Sequence, residues 1–297
     1  MNQRPVFGRA GVNAPSEAVA ASPVAEGERF MAMLALTAPV KTDFAALKQI
    51  VESEYPVANT ALEQLSMPGS RPELGGFLLR LDGVMLTVLP IALPIPASEL
   101  VEPLRHATQT WPDAQEALAR HRAHLIVATL NPCPDHAAAL KGAACVTRVT
   151  AALARLNDAN AIAVYWRPGG AVTSTALFTA GATALTRQQL MPELWVRFYF
   201  IQGSPAPAGR PCTGMATFGL VAFTGYELEF EPVHLPPGEI GKRVYFLAKY
   251  LIERGPVIRD GETVGLSERE KIRVRADDSR RMPGTKIMRL TLETYGT

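Results

Sequence analysis

Two rhythms of apolar and polar residues run along this chain, one of strands and one of helices. From Phe30 the run Phe-Met-Ala-Met-Leu-Ala-Leu stops shortly before Pro39, the pattern of a buried strand. Thr42 or Asp43 then offers a cap to a helix in which Phe44, Leu47, Ile50 and Val51 recur at helical spacing as far as Tyr55. Gly76–Leu81 and Val84–Leu89 read as two strands joined by Asp82-Gly83, a strong short-range signal for a hairpin. Pro94 and Pro96 hold the next segment extended until a helix opens at Ala97 or Ser98, carrying Leu100, Val101 and Leu104. A short helix from Asp113 to the Arg120–His121 region precedes a buried strand, His124–Leu130.

The order strand-helix-strand-strand-helix-strand is that of a split βαβ, ferredoxin-like unit, with the hairpin in the middle and helices on one face. The second half continues with a helix over His136–Arg155 and a strand over Ala161–Trp166, closed by the turn Pro168-Gly169-Gly170. A short helix near Thr186–Leu190, a strand over Trp195–Ile201 and a loop over Gly203–Cys212 follow. Strands over Gly214–Phe223 and Tyr226–Glu231 hinge at Gly225, a helix spans Gly238–Glu253, and Lys286–Leu292 forms a last strand. The expected fold class is therefore α+β, two ferredoxin-like halves with mainly antiparallel sheets. The expected domains are a flexible tail over 1–28, an N-terminal half over 29–131 and a C-terminal half over 132–297.

Composition changes this picture only by exclusion. In 297 residues, 47% are hydrophobic and 20% charged, which provides a substantial core and excludes wholesale disorder. With 30 Lys and Arg against 28 Asp and Glu, the net charge of +2 supplies no global field for nucleic acid or an anionic membrane. A membrane span needs about 18 or more apolar residues in a row, and Pro90 and Pro94 interrupt the most tempting run, Val84–Ile95. Three scattered cysteines, Cys133, Cys145 and Cys212, form no disulfide framework and suit a reducing cytosol. The N-terminus lacks the apolar stretch of a secretory signal.

Candidate chemistry is sparse. His121-x-x-His124 followed by Cys133-x-x-His136 brings imidazole and thiolate close in sequence, as zinc ligation requires. The paired CxxC spacing is missing, however, and His121 ends a helix while His124 begins a strand, so the bland reading is structural or surface histidines. Glu227, Glu229 and Glu231 alternate on a strand and so share one face, where carboxylates could bind a cation or act as an acid–base pair. The bland alternative is a solvent-facing row with Leu228 and Phe230 in the core. Asp260-Gly-Glu-Thr-Val-Gly265 lacks the Lys and following helix of a phosphate loop and reads as a shaped surface turn. No GxSxG, HExxH, SxxK or GxGxxG motif occurs. Cys145 lies on the apolar face of a helix, where a thiol is inert, while Cys212 beside Arg210 is a weak candidate for reactivity. Residues 267–281 mix both signs of charge and read as a solvated face and loop.

Several stretches together resemble a known family. Thr213-Gly214-Met215, Phe218-Gly219, Gly225-Tyr226-Glu227-Leu-Glu229 and Asp260-Gly-x-Thr263-x-Gly265 are similar to the bacterial domain-of-unknown-function family 4261. Upstream, Pro94-Ile-Pro96, Glu99-Leu100, Trp111, His121-x-Ala-His124-Leu-Ile-Val127, Ala161 to Trp166 and Trp195-Val196 extend the likeness from about residue 30 onward. The resemblance implies a bacterial, cytosolic protein and brings no established activity and no catalytic residues with it.

The function reading that follows is a non-enzymatic cytoplasmic binding or accessory protein, of adaptor or immunity type. It meets an unidentified protein partner and uses no cofactor, nucleic acid or membrane. Trp195, Arg197, Tyr199, Tyr226 and Tyr245 are the expected contact residues, because these types are enriched at interfaces. The rival is a metal-dependent or acid–base enzyme using Glu227 and Glu229 with His121 or His124. A third reading is a homodimer that pairs through an exposed sheet.

Overall fold

The computed structural model describes residues 29–57, 61–65, 76–203 and 212–294. The 1–28 tail and most of the Gly203–Cys212 loop lie outside the described residues. The described residues form two compact units, 29–197 and 198–294.

In the first unit, β1 (Met31–Leu36) leads to α1 (Phe44–Glu54), β2 (Glu63–Leu65), β3 (Phe77–Leu81) and β4 (Val84–Ile91). Then come α2 (Ala97–Ala107), α3 (Ala114–Ala119), β5 (Ala123–Thr129), α4 (His136–Leu156), β6 (Ala161–Trp166), β7 (Ala171–Ser174) and α5 (Thr175–Thr186). Local chemistry sets several of these boundaries. The Asp43 carboxylate accepts the Ala45 N–H at 2.8 Å and so caps α1. Asp82 and Gly83 take φ values of 50° and 75°, the paired positive φ that a two-residue hairpin turn demands. Ser174 caps α5, a helix that begins well upstream of the short one expected near Thr186.

Among the described residues the strands form one antiparallel sheet in the order β2-β3-β4-β5-β1-β6-β7. The fold is α+β, but this is not the split βαβ order, in which the fourth strand would lie beyond β1. Here β5 sits between β4 and β1. The reason lies in burial: β1, β5 and β6 are apolar and buried at nearly every position, so both of their faces must be covered and they take the centre. Helices accordingly pack on both faces rather than on one. Met33 and Ile126, opposite each other in register, join a cluster with Leu100, Ala114 and Leu118 of α2 and α3. Leu34 and Leu125 point the other way, onto the face where Phe30 and Thr129 approach Gly142 of α4. By length and composition α4 could cross a membrane, and 67% of its apolar window is buried within this fold. Pairing of β6 with β1 also moves the boundary: the expected division at 131/132 falls inside the first unit, and the chain divides at 197/198.

The second unit contains β8 (Arg197–Gln202, from Phe198 onward), β9 (Thr213–Phe218), α6 (Val221–Thr224) and β10 (Glu227–Val233). It continues with α7 (Pro237–Arg254), β11 (Thr263–Val264), β12 (Lys271–Asp278) and β13 (Lys286–Thr294). Its sheet has the order β11-β12-β13-β10-β9-β8, with β10 parallel to β13 and antiparallel to β9. Phe230, Leu247 of α7, Ile272 and Leu290 close around one small void. The stretch expected as a solvated face and loop contains the strand β12, in which Ile272 and Val274 are buried and most other positions are exposed. Arg273 meets Glu293 of β13 at 2.8 and 3.0 Å, so the charges of this stretch pair across the sheet. A buried ion pair locks α7 to the approach of β12: Arg243 donates to Glu270 at 2.8 Å from Nε, while Glu270 also accepts the Leu266 N–H at 2.8 Å.

Candidate functional site

Glu227, Glu229 and Glu231 do share one face of β10, and neighbouring elements occupy each of them. Gly219 and Gly225 bracket α6 with φ values of 101° and 80°, left-handed conformations that glycine adopts without strain. That tight path aims backbone N–H groups at Glu227. Its carboxylate accepts Gly219 N–H at 2.6 Å, Val221 N–H at 3.2 Å, Leu220 N–H at 3.1 Å and the Thr217 hydroxyl at 2.6 Å. Burial pushes the Glu227 carboxyl upward from the usual range, while these four donors pull it down. All four contacts are donors, so the cage fits the ionised form, which only accepts. The next carboxylate, Glu229, accepts the Ser279 hydroxyl and faces the Arg289 guanidinium at 3.8 Å. Glu231 accepts the Thr291 hydroxyl at 2.7 Å.

The solvent-facing alternative is therefore corrected, because Glu227 and Glu229 are only 1% and 3% exposed. The row ties β10 to the α6 turn, to the β12–β13 hairpin and to β13. The Asp260–Gly265 turn is structural too: Asp260 accepts the Ala276 N–H at 2.9 Å, and Thr263–Val264 add β11 to the sheet edge.

The four zinc candidates are not brought together. Nδ1 of His121 contacts the Leu118 carbonyl and Nε2 contacts that of Ile95 at 3.4 Å; Nδ1 of His124 donates to Leu93 at 2.8 Å. The two imidazoles thus grip alternate carbonyls of the extended Leu93–Pro96 segment. Cys133 packs against Gly142 of α4, on the sheet face opposite to His124. Among the described residues no group of three or more His, Cys, Asp and Glu is placed to hold a metal ion. The histidines lie in the first unit and the carboxylate row in the second, each with its own partners.

Two of the expected contact residues belong to the core. Trp195 is 1% exposed, donates its indole N–H to Thr147 at 2.8 Å and stacks on Trp166 at 6.0 Å between centroids. Tyr226 is buried as well. Arg197, Tyr199 and Tyr245 are half-buried, with Tyr245 against Phe198 at 5.7 Å.

The segment that the histidines hold forms one wall of a feature the sequence did not single out. Between Pro94–Pro96, α2 and α3 lies an open groove of about 850 Å³. Ile95, Leu100 and Leu118, all nearly fully buried, form its floor, and Val101 and Leu104 line its side. Arg105 and Arg122 are the charged side chains at its edge. The signal available in sequence was α2 itself, whose apolar residues exceed what a single buried stripe uses.

The architecture defines a two-unit α+β protein with a histidine-braced apolar groove in one unit and an internally satisfied carboxylate row in the other. Residues 216–291, which span that row, match the family model of the domain of unknown function DUF4261. The match includes Gly219, Gly225, Glu227 and Glu229; Thr213-Gly214-Met215 and the upstream stretches of the expected likeness lie outside it. No curated protein and no solved structure matches the chain.

Proposed function

We propose that this is a non-enzymatic binding protein of the cytosol, and that it engages a protein partner through the groove of its first unit. One observation carries the reading: an uncovered apolar channel of about 850 Å³ whose floor is buried core and whose edge is cationic. Binding sites are concave, mostly apolar and fringed by a few polar groups, and this groove has each of those properties. Val101 remains 57% exposed on its wall and continues the apolar lining out to solvent, as a contiguous patch at an interaction site does. Three free thiols, two of them buried, suit a reducing compartment. The enzyme reading has less support, because the Glu227 and Glu229 carboxylates are engaged by internal donors and His121 and His124 are bonded to backbone carbonyls.

Titration with anilinonaphthalene sulfonate, an apolar anion, tests the groove as a binding site. The folded protein is expected to bind it saturably, and Val101→Asp, at an exposed position, to abolish that binding with an unchanged circular dichroism spectrum. No binding, or equal binding by the variant, would overturn the proposal.

A further inference from the structure

The walls of the groove narrow the chemistry of its partner. Helix α2 carries two apolar stripes. Leu100, Pro103 and Ala107 are buried beneath it, Leu100 also reaching the groove floor, while Ala97, Val101, Leu104 and the capping Thr108 follow one another along the groove at steps of four, three and four residues. At 1.5 Å per residue that second row is about 16 Å long, or three helical turns. A row of this length and spacing is the complement of another helix, whose own side chains three and four apart mesh with it as ridges in grooves. A compact small molecule would instead call for an enclosed cavity, and here Val101 stands 57% exposed and Arg105 is also exposed.

Charge adds the second constraint. Arg105 and Arg122 are the charged residues lining the groove, and no carboxylate lines it. Arg105 has Glu102 at 3.1 Å, while Arg122 uses Nη1 to hold the carbonyls of Ala119 and His121 at 2.9 Å each. Both guanidiniums keep further N–H donors, since a guanidinium has five.

Resting on the binding reading above, we propose that the groove receives an amphipathic helix of a partner protein. Its apolar stripe packs along Val101 and Leu104, and its acidic residues meet Arg105 and Arg122.

Fluorescence anisotropy with the full chain tests this, using three probes. The first is a labelled synthetic helix of about three turns with leucines on one stripe and glutamates flanking them. The second is its twin with lysines in place of the glutamates, and the third is laurate, an apolar anion without a helix, read by displacement. The acidic helix is expected to bind, the lysine twin to bind more weakly, and Val101→Asp to weaken the acidic helix by about tenfold or more. The pair Arg105→Glu and Arg122→Glu should reverse the preference between the peptides. If laurate binds in a Val101-dependent way and neither peptide does, the helix inference is overturned and the groove-binding reading stands. If no probe binds, both fall. Peptide binding that survives Val101→Asp, or that ignores the charge reversal, also overturns the inference.

Discussion

Oε1 of Glu227 accepts the backbone N–H of Gly219 at 2.6 Å, and this bond is one of three that close the α6 turn onto β10, with the Thr217 hydroxyl of β9 as a fourth donor. Removing the carboxylate leaves several buried N–H groups without an acceptor, each costing about 1–3 kcal/mol. Glu227→Ala is therefore expected to destabilise the second unit by roughly 3 kcal/mol or more. Glu227→Gln should also be costly, because it turns an N–H donor toward other donors. Denaturant unfolding followed by circular dichroism measures this. Unchanged stability would mean that the cage is not a structural device and would revive a chemical role for Glu227.

His124 gives the first unit a pH dependence with a defined sign. Burial holds its pKa below the ordinary histidine value, against the opposing pull of its bond to Leu93, and the charge of His121 adds to the lowering. Below about 6.5 the unfolded chain therefore takes up a proton that the folded chain refuses. The stability that comes from the neutral ring is present above that pH and is lost as pH falls toward the folded pKa. Thermal melts of the wild type and His124→Asn between neutral and mildly acidic pH should show a steeper loss in the wild type. Parallel curves would argue that the ring is not held neutral.

The thiols provide a check on core placement. Burial pushes the Cys145 thiol up to about 12, and its Sγ donates to the Leu81 carbonyl at 3.5 Å. Cys133 is buried too, whereas Cys212 is half-buried. An aromatic disulfide reagent should react with Cys212 in the folded protein, and with Cys133 and Cys145 only after unfolding. Rapid reaction at Cys145 would contradict the packing of α4.

Much of the local structure was legible in the sequence because its causes are local. Asp43 capping α1 and Asp82-Gly83 turning the hairpin act within a few residues. Strand order was not legible: β5 enters between β4 and β1 because both faces of these strands find cover, and that depends on helices far along the chain. The strand β12 was hidden by its charges, although Ile272 and Val274 alternate as a strand requires. Period-two reasoning placed the three glutamates on one face. It could not show them buried, since the Ser279 hydroxyl that binds Glu229 lies 50 residues away. The groove has the same cause: sequence groups Val101 with Leu100 and Leu104, and only packing leaves Val101 outside.

The groove of the first unit is proposed to bind a protein partner. Affinity capture from the native host, with wild-type and Val101→Asp chains as paired baits, tests it most directly. A protein is expected to be retained in stoichiometric amount by the wild type and lost from the variant. Identical sets of proteins on both baits, or a wild-type bait that carries no stoichiometric protein, would contradict it.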